Sequence, residues 1–157
     1  MTKVVKKHNA IQTAYANWLN SQGWTHFVTL TTPYTLTLNS ARRLIDRFHT
    51  KLKEQNFEPI TFYVCERFEV KDGYHLHALM KLNKSKLEKH EYRFITELYQ
   101  MCAGTSKVTK IDGNLKYINW SRIDLQKYSK TRNGGGYVTK YIMKENKNKG
   151  AEYDLLI

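Results

Sequence analysis

The chain has 157 residues, 41% of them apolar and 13% aromatic, which suits one compact domain with its own core and excludes a disordered chain. Lys and Arg number 26 against 14 Asp and Glu, and a formal net charge of +12 is the footprint of a polyanion binder, nucleic acid first. No apolar run approaches the roughly 18 residues of a membrane span. The N-terminus lacks an apolar leader core, and Cys65 and Cys102 form no Cys-x-x-Cys pair, so a cytoplasmic protein without a disulfide framework or thiolate zinc cage is expected.

In chain order, residues 9–20 place Ile11, Ala14, Tyr15, Trp18 and Leu19 on one stripe of a short amphipathic helix that Gly23 ends. The run HFVTLTT at 26–32 is β-branched and aromatic and predicts a strand closed by Pro33. Asn39 or Ser40 can cap a helix through about Gln55, with Leu44, Ile45, Phe48 and Leu52 inward and Arg42, Arg43, Arg47 and Lys51 outward. Strands follow at 60–68 and 74–82, joined by the turn EVKDG. Ser85 can cap the next helix, whose buried stripe is Leu87, Phe94, Ile95, Leu98 and Met101, and Gly104 stops it.

Residues 115–125 read as a further strand, 129–136 as a polar loop, and 137–146 as a last helix running into the charged 147–150. The order α-β-α-β-β-α-β-α contains a β-α-β-β-α-β unit. The fold class is therefore α+β: a ferredoxin-like core with an antiparallel sheet, followed by a C-terminal tyrosine-bearing helix. A single domain over 1–157 is expected, with no G-x-x-x-x-G-K-[ST] loop of a helicase. That fold hosts many activities and decides none by itself.

Chemistry concentrates in 73-GYHLHALMKL-82. Side chains alternate along a strand, so His75, His77, Leu79 and Lys81 share one face. Tyr74, Leu76, Ala78, Met80 and Leu82 share the other, which is apolar and should pack on the helices. Two imidazoles about 6.5–7 Å apart at Cβ can converge on one ion. The preceding strand offers Glu66 and Glu69. A four-residue loop Val70–Gly73 would pair Glu69 with Tyr74 and put Glu66 opposite His77 on the histidine face; a three-residue loop would reverse the faces. Glu66 is the expected third ligand. Two imidazoles and a carboxylate suit Mn²⁺ or Mg²⁺ better than zinc.

The last helix begins YVTKY. Tyr137 and Tyr141, four apart, stack on one helical face, and Lys140 adjoins it. A phenol with pKa near 10 is a poor nucleophile until its target phosphate is polarised, which a divalent ion can do.

Three elements thus occur in order: FVTLTT at 27–32, HLH at 75–77 and YVTKY at 137–141. Together they resemble the His-hydrophobic-His (HUH) endonucleases of the rolling-circle replication initiator (Rep) superfamily, over about Trp24 to Lys144. The resemblance implies His75 and His77 as metal ligands, Tyr137 as nucleophile and Lys140 as the motif lysine. It also implies a glutamate ligand about nine residues before the histidines, where Glu66 stands. The Tyr-x-x-Lys-Tyr form is similar to two-tyrosine phage initiators, which would make Tyr141 a second nucleophile rather than a packing residue. The implied activity is a metal-dependent nick in single-stranded origin DNA, leaving a 5′-phosphotyrosine and a free 3′-hydroxyl, with any helicase borrowed from the host.

Candidate DNA contacts are Thr29 and Thr31 of the first motif, with Arg42, Arg43, Lys127, Lys130 and Arg132. Two other readings compete: a transposase or relaxase of the same chemistry, and a non-catalytic single-strand binding module that stacks bases on its sheet.

Overall fold

The computed structural model describes residue 14 and residues 17–19, 21–105, 108–117, 120–129 and 152–157. Ala14 and Asn17–Leu19 are helical. The elements that follow are strand β1 (His26–Leu30), helix α1 (Leu38–Glu54), strands β2 (Ile60–Arg67) and β3 (Tyr74–Lys81), and helix α2 (Lys89–Ala103). Strands β4 (Val108–Ile111), β5 (Asn114–Tyr117), β6 (Ile123–Lys127) and β7 (Glu152–Leu156) complete the order.

One five-stranded sheet runs β6-β1-β3-β2-β7, every neighbouring pair antiparallel. Its first four strands and two helices make the ferredoxin-like β-α-β-β-α-β core, and β7 extends that core along β2. Among the described residues, no helix is long and apolar enough to cross a membrane.

Both helices cover one face of the sheet. Helix α1 buries Ala41, Leu44, Ile45, Phe48, His49 and Leu52 and leaves Arg42, Arg43, Arg47 and Lys51 outside, as its periodicity requires. These side chains meet Val28, Leu30, Tyr63, Cys65, Leu76, Ala78 and Met80 from the sheet. Full burial of each large aliphatic or aromatic member is worth about 1.5–3 kcal/mol, so this layer dominates the stability of the domain. The opposite face carries a smaller cluster of Phe27, Phe62, Val64 and Leu79, covered by Leu19 and Trp24 from the N-terminal segment.

Several boundaries depart from expectation for identifiable reasons. Thr37, not Asn39 or Ser40, caps α1: its hydroxyl accepts from Ser40 N–H, and Ser40 returns the bond at the third position. Glu88, not Ser85, caps α2 and is answered by Glu91. Gly104 ends α2 in the left-handed conformation (φ 72°), as expected. Phe94 and Met101 are exposed, whereas Tyr99 and Gln100 are buried in their place.

The stretch read as one strand at 115–125 is two. Strand β5 pairs with β4 in a separate hairpin whose turn, Asp112-Gly113, has positive φ at both residues, the dihedrals an Asp-Gly turn favours. Only β6 joins the main sheet. Strand β7 has no counterpart among the expected elements.

Two histidines lie inside the helix-covered layer. Burial holds the imidazole of His26 below its ordinary 6.5, with the nearby Lys127 adding to the effect, and burial likewise lowers that of His49. The unfolded chain therefore binds these protons at higher pH than the folded one. Their contribution is complete above about pH 6.5 and is lost as pH falls below it, by at most about 1.4 kcal/mol per pH unit for each group. A lower melting temperature at pH 5 than at pH 7.5 is expected, with a smaller difference in His49→Gln; equal pH dependence of the variant would remove His49 from this account.

Candidate metal centre

The centre is built by alternation on two paired strands. In β3, Leu76, Ala78 and Met80 go to the helix-covered layer, which turns His75 and His77 to the other face. In β2, Tyr63 and Cys65 are buried against the helices, which turns Val64 and Glu66 the same way as the histidines. The ladder pairs Arg67 with Tyr74, Glu66 with His75 and Val64 with His77.

This corrects the expected register. Glu66 stands opposite His75, not His77, and Glu69 does not pair with Tyr74. The connection spans residues 68–73, two longer than the four-residue loop. Tyr74 N–H donates to Leu36 O in the segment before α1, and Gly73 (φ 102°) packs against that same backbone, so the ladder opens early. A shift of two residues preserves the face, and Glu66 still faces both histidines.

One carboxylate oxygen, Glu66 Oε2, lies 3.0 Å from His77 Nε2 and 3.3 Å from His75 Nε2. The donor atoms of the three side chains all lie within 4.8 Å of one another, and the described residues hold no other such group of histidine, cysteine and acidic side chains. Glu66 and His77 are 6% exposed. Burial pushes the Glu66 carboxyl up, but hydrogen bonds and charge from His75 and His77 outweigh it and hold its pKa at about 2. Glu66 is thus an anion throughout the physiological range.

Neighbouring side chains fix both rings. Phe68 stacks on His75 at 4.5 Å between centroids, and Lys71 Nζ lies 4.3 Å from the Phe68 centroid. Phe27 stacks on His77 at 6.0 Å, and the two imidazoles meet edge to face at 4.7 Å. His77 Nδ1 faces the Thr29 hydroxyl at 3.3 Å, which leaves Nε2 to the shared carboxylate.

The donor set fits a divalent cation. Two donors each about 2.1 Å from an ion and about 90–105° apart are about 3.0–3.3 Å from each other, the spacing seen here. Two imidazoles and one carboxylate, with room for further oxygen ligands, suit Mn²⁺ or Mg²⁺.

The remaining site candidates fall in different places. Thr29 touches His77, and Thr31 follows it on the same face. Both line a recess with Arg122 and Asp124. Arg42 and Arg43 lie on the helix side, beside Asp46, Tyr63 and Asp154, and Arg42 hydrogen-bonds the Tyr63 hydroxyl. Lys127 pairs with His26 at the sheet edge and so also belongs to the helix side. Tyr137, Lys140, Tyr141, Lys130 and Arg132 lie outside the described residues.

Sequence reading missed Phe68, Phe27, Arg122 and Asp124. The alternation of Arg122 and Asp124 with Ile123 and Leu125 was the available signal for the last two. Phe68 gave none, because its role depends on where the ladder opens.

The fold and the cluster together define a ferredoxin-like α+β protein with a two-histidine, one-carboxylate centre on the face of the sheet away from its helices. A family model for replication-associated proteins of the ORF2 type matches residues 25–146, and the chain belongs to that family. No curated protein and no solved structure matches it significantly.

Calorimetric titration with Mn²⁺ checks the centre. Glu66→Ala is expected to weaken binding at least about tenfold, and Thr29→Val about tenfold by releasing His77. Wild-type affinity in either variant would remove that residue from the centre.

Proposed function

We propose that this chain is an HUH endonuclease that nicks and rejoins single-stranded origin DNA to start rolling-circle replication. The observation that carries the reading is the convergence of Glu66, His75 and His77 on one point of the sheet face. Membership of the replication-associated family and the basic charge support DNA as the substrate.

A bound Mn²⁺ or Mg²⁺ would polarise the scissile phosphate and offset the charge developing on it. Glu66, His75 and His77 hold the cation, and the flanking rings and Thr29 keep their donor atoms aimed. Tyr137 is the nucleophile. Its oxygen forms a bond to phosphorus, the bond to the 3′-oxygen breaks, and the departing 3′-hydroxyl takes up a proton. The DNA 5′ end is then esterified to the protein, and attack by a 3′-hydroxyl reverses the step. Lys140 lowers the phenol's pKa or holds a phosphate oxygen, and Tyr141 serves the second cleavage of a cycle.

Topology supports Tyr137 in this role. Strands β6 and β7 are parallel and form opposite edges of the sheet. The connections β1-α1-β2 and β3-α2-β6 both pass over the helix-covered face. A connection of the same hand from β6 to β7 must pass over the other face, the one bearing the histidines, and such connections keep one hand in about 98% of cases. Tyr128, where that connection starts, packs on the Phe27–Leu79 cluster of the metal-centre face.

The reading extends to a single nicking-joining domain acting in the cytoplasm of a bacterial or archaeal host, on a phage or plasmid element, with a host helicase as partner. The test is incubation with Mn²⁺ and labelled single-stranded oligonucleotides tiled over the DNA element that encodes the chain, followed by a denaturing gel. A covalent band is expected, absent in EDTA and in Tyr137→Phe. No adduct on any tile would sink the proposal and favour a binding module.

A further inference from the structure

The recess beside the metal centre has a construction that packing does not explain. It encloses about 260 Å³ between β1 and β6 and is lined by Thr29, Thr31, Arg122 and Asp124. The ladder puts Thr29 directly opposite Asp124, and Thr31 N–H donates to Arg122 O at 2.9 Å. All four side chains therefore project from the metal-centre face, and Thr29 also touches His77.

Helix α2 sets both walls from beneath. The Tyr99 hydroxyl, on a fully buried ring, donates to Thr31 O at 2.9 Å. Gln100, also fully buried, accepts from Ser121 N–H through Oε1 at 2.7 Å and donates to Ser121 O through Nε2. Gln100 thus bonds Ser121 as a neighbouring strand would, and the Thr105 hydroxyl completes the network. A buried amide with this many partners costs desolvation that apolar packing would avoid. What it secures is the position of residues 121–122, and so of one wall of the recess. Gln126 Nε2, two residues on and on the same face, donates to Asp124 Oδ2 at 2.8 Å and holds that carboxylate in place.

We propose that this recess seats one nucleotide of the single strand next to the scissile phosphate, with Arg122 on its phosphate and the Asp124 carboxylate on the base edge. The proposal rests on the nicking reading for its position in the substrate, not for its binding chemistry. The volume equals the liquid share of roughly nine waters at about 30 Å³ each, comparable to a base of about eight to eleven heavy atoms. Arg122 supplies a planar donor fork for a phosphate. A carboxylate accepts from the exocyclic amino groups of cytosine, adenine or guanine and finds none on thymine. Thr29 and Thr31 hydroxyls can bond any base. The recess therefore discriminates against thymine at one position.

Selection from a random single-stranded 20-mer pool tests this in EDTA, so that no cleavage is needed, and retained strands are sequenced. The wild-type protein should disfavour thymine at one position at least about fivefold, the scale of one base-edge contact. Asp124→Asn, which can donate as well as accept, should lose that bias while keeping the wild-type melting temperature and Mn²⁺ affinity. Arg122→Gln should weaken binding of all strands and reduce the salt slope by about 0.7. A wild-type pool without positional bias, or a bias unchanged in Asp124→Asn, overturns the proposal. If the bias behaves as expected and no covalent adduct forms with Mn²⁺, the nicking reading fails and the nucleotide seat stands.

Discussion

The pairing of β2 with β3 is the constraint on which the rest of the metal-centre face depends. Tyr63 and Cys65 on β2 and Leu76 and Ala78 on β3 are buried under the helices, and alternation then leaves Glu66, His75 and His77 no other direction. A slip by one residue would drive Glu66 into that apolar layer and cost several kcal/mol for an unpaired buried carboxylate. A slip by two would keep the face but separate the carboxylate from one imidazole. The core and the centre are therefore one packing problem, and what stabilises the fold also aims the ligands.

That arrangement divides the metal-centre face along the strands. Toward one end, Phe27, Phe62, Leu79, Leu19 and Trp24 form a dry floor. Toward the other, Glu66, the two histidines, Thr29 and the Arg122–Asp124 recess gather polar groups. The boundary runs through Phe27, which packs in the floor and stacks on His77. The rings meet a substrate already oriented, so little conformational entropy is lost when a ligand arrives.

Much of this was legible in the sequence, for local reasons. Strand alternation at 74–82, the helical stripe from Leu44 to Leu52 and the glycine stop at Gly104 are read over a few residues, and the structure keeps them. The face shared by Glu66 and the histidines was legible through parity alone, whereas their exact register was not. The register depends on Leu36, which is remote in sequence and takes the Tyr74 N–H out of the hairpin. The β4–β5 hairpin was announced by Asp112-Gly113, a signal masked by the longer apolar reading of 115–125. Tyr99 and Gln100 replaced Phe94 and Met101 in the interior because their polar tips find partners on Thr31 and Ser121, contacts no helical periodicity encodes. Strand β7 is short, and its pairing with β2 is a long-range event.

Strands β6 and β7 are the two edges of the sheet, and the connection between them leaves from one and returns to the other. A pull on that connection, such as a tethered polymer would exert, loads both edges at once. Edge strands are bonded on one side only, so they peel one hydrogen bond at a time, while β1, β3 and β2 remain bonded on both sides or to each other. Mechanical strain is thus taken up at the margins. The three inner strands that carry Thr29, His75, His77 and Glu66 would be the last part of the sheet to deform.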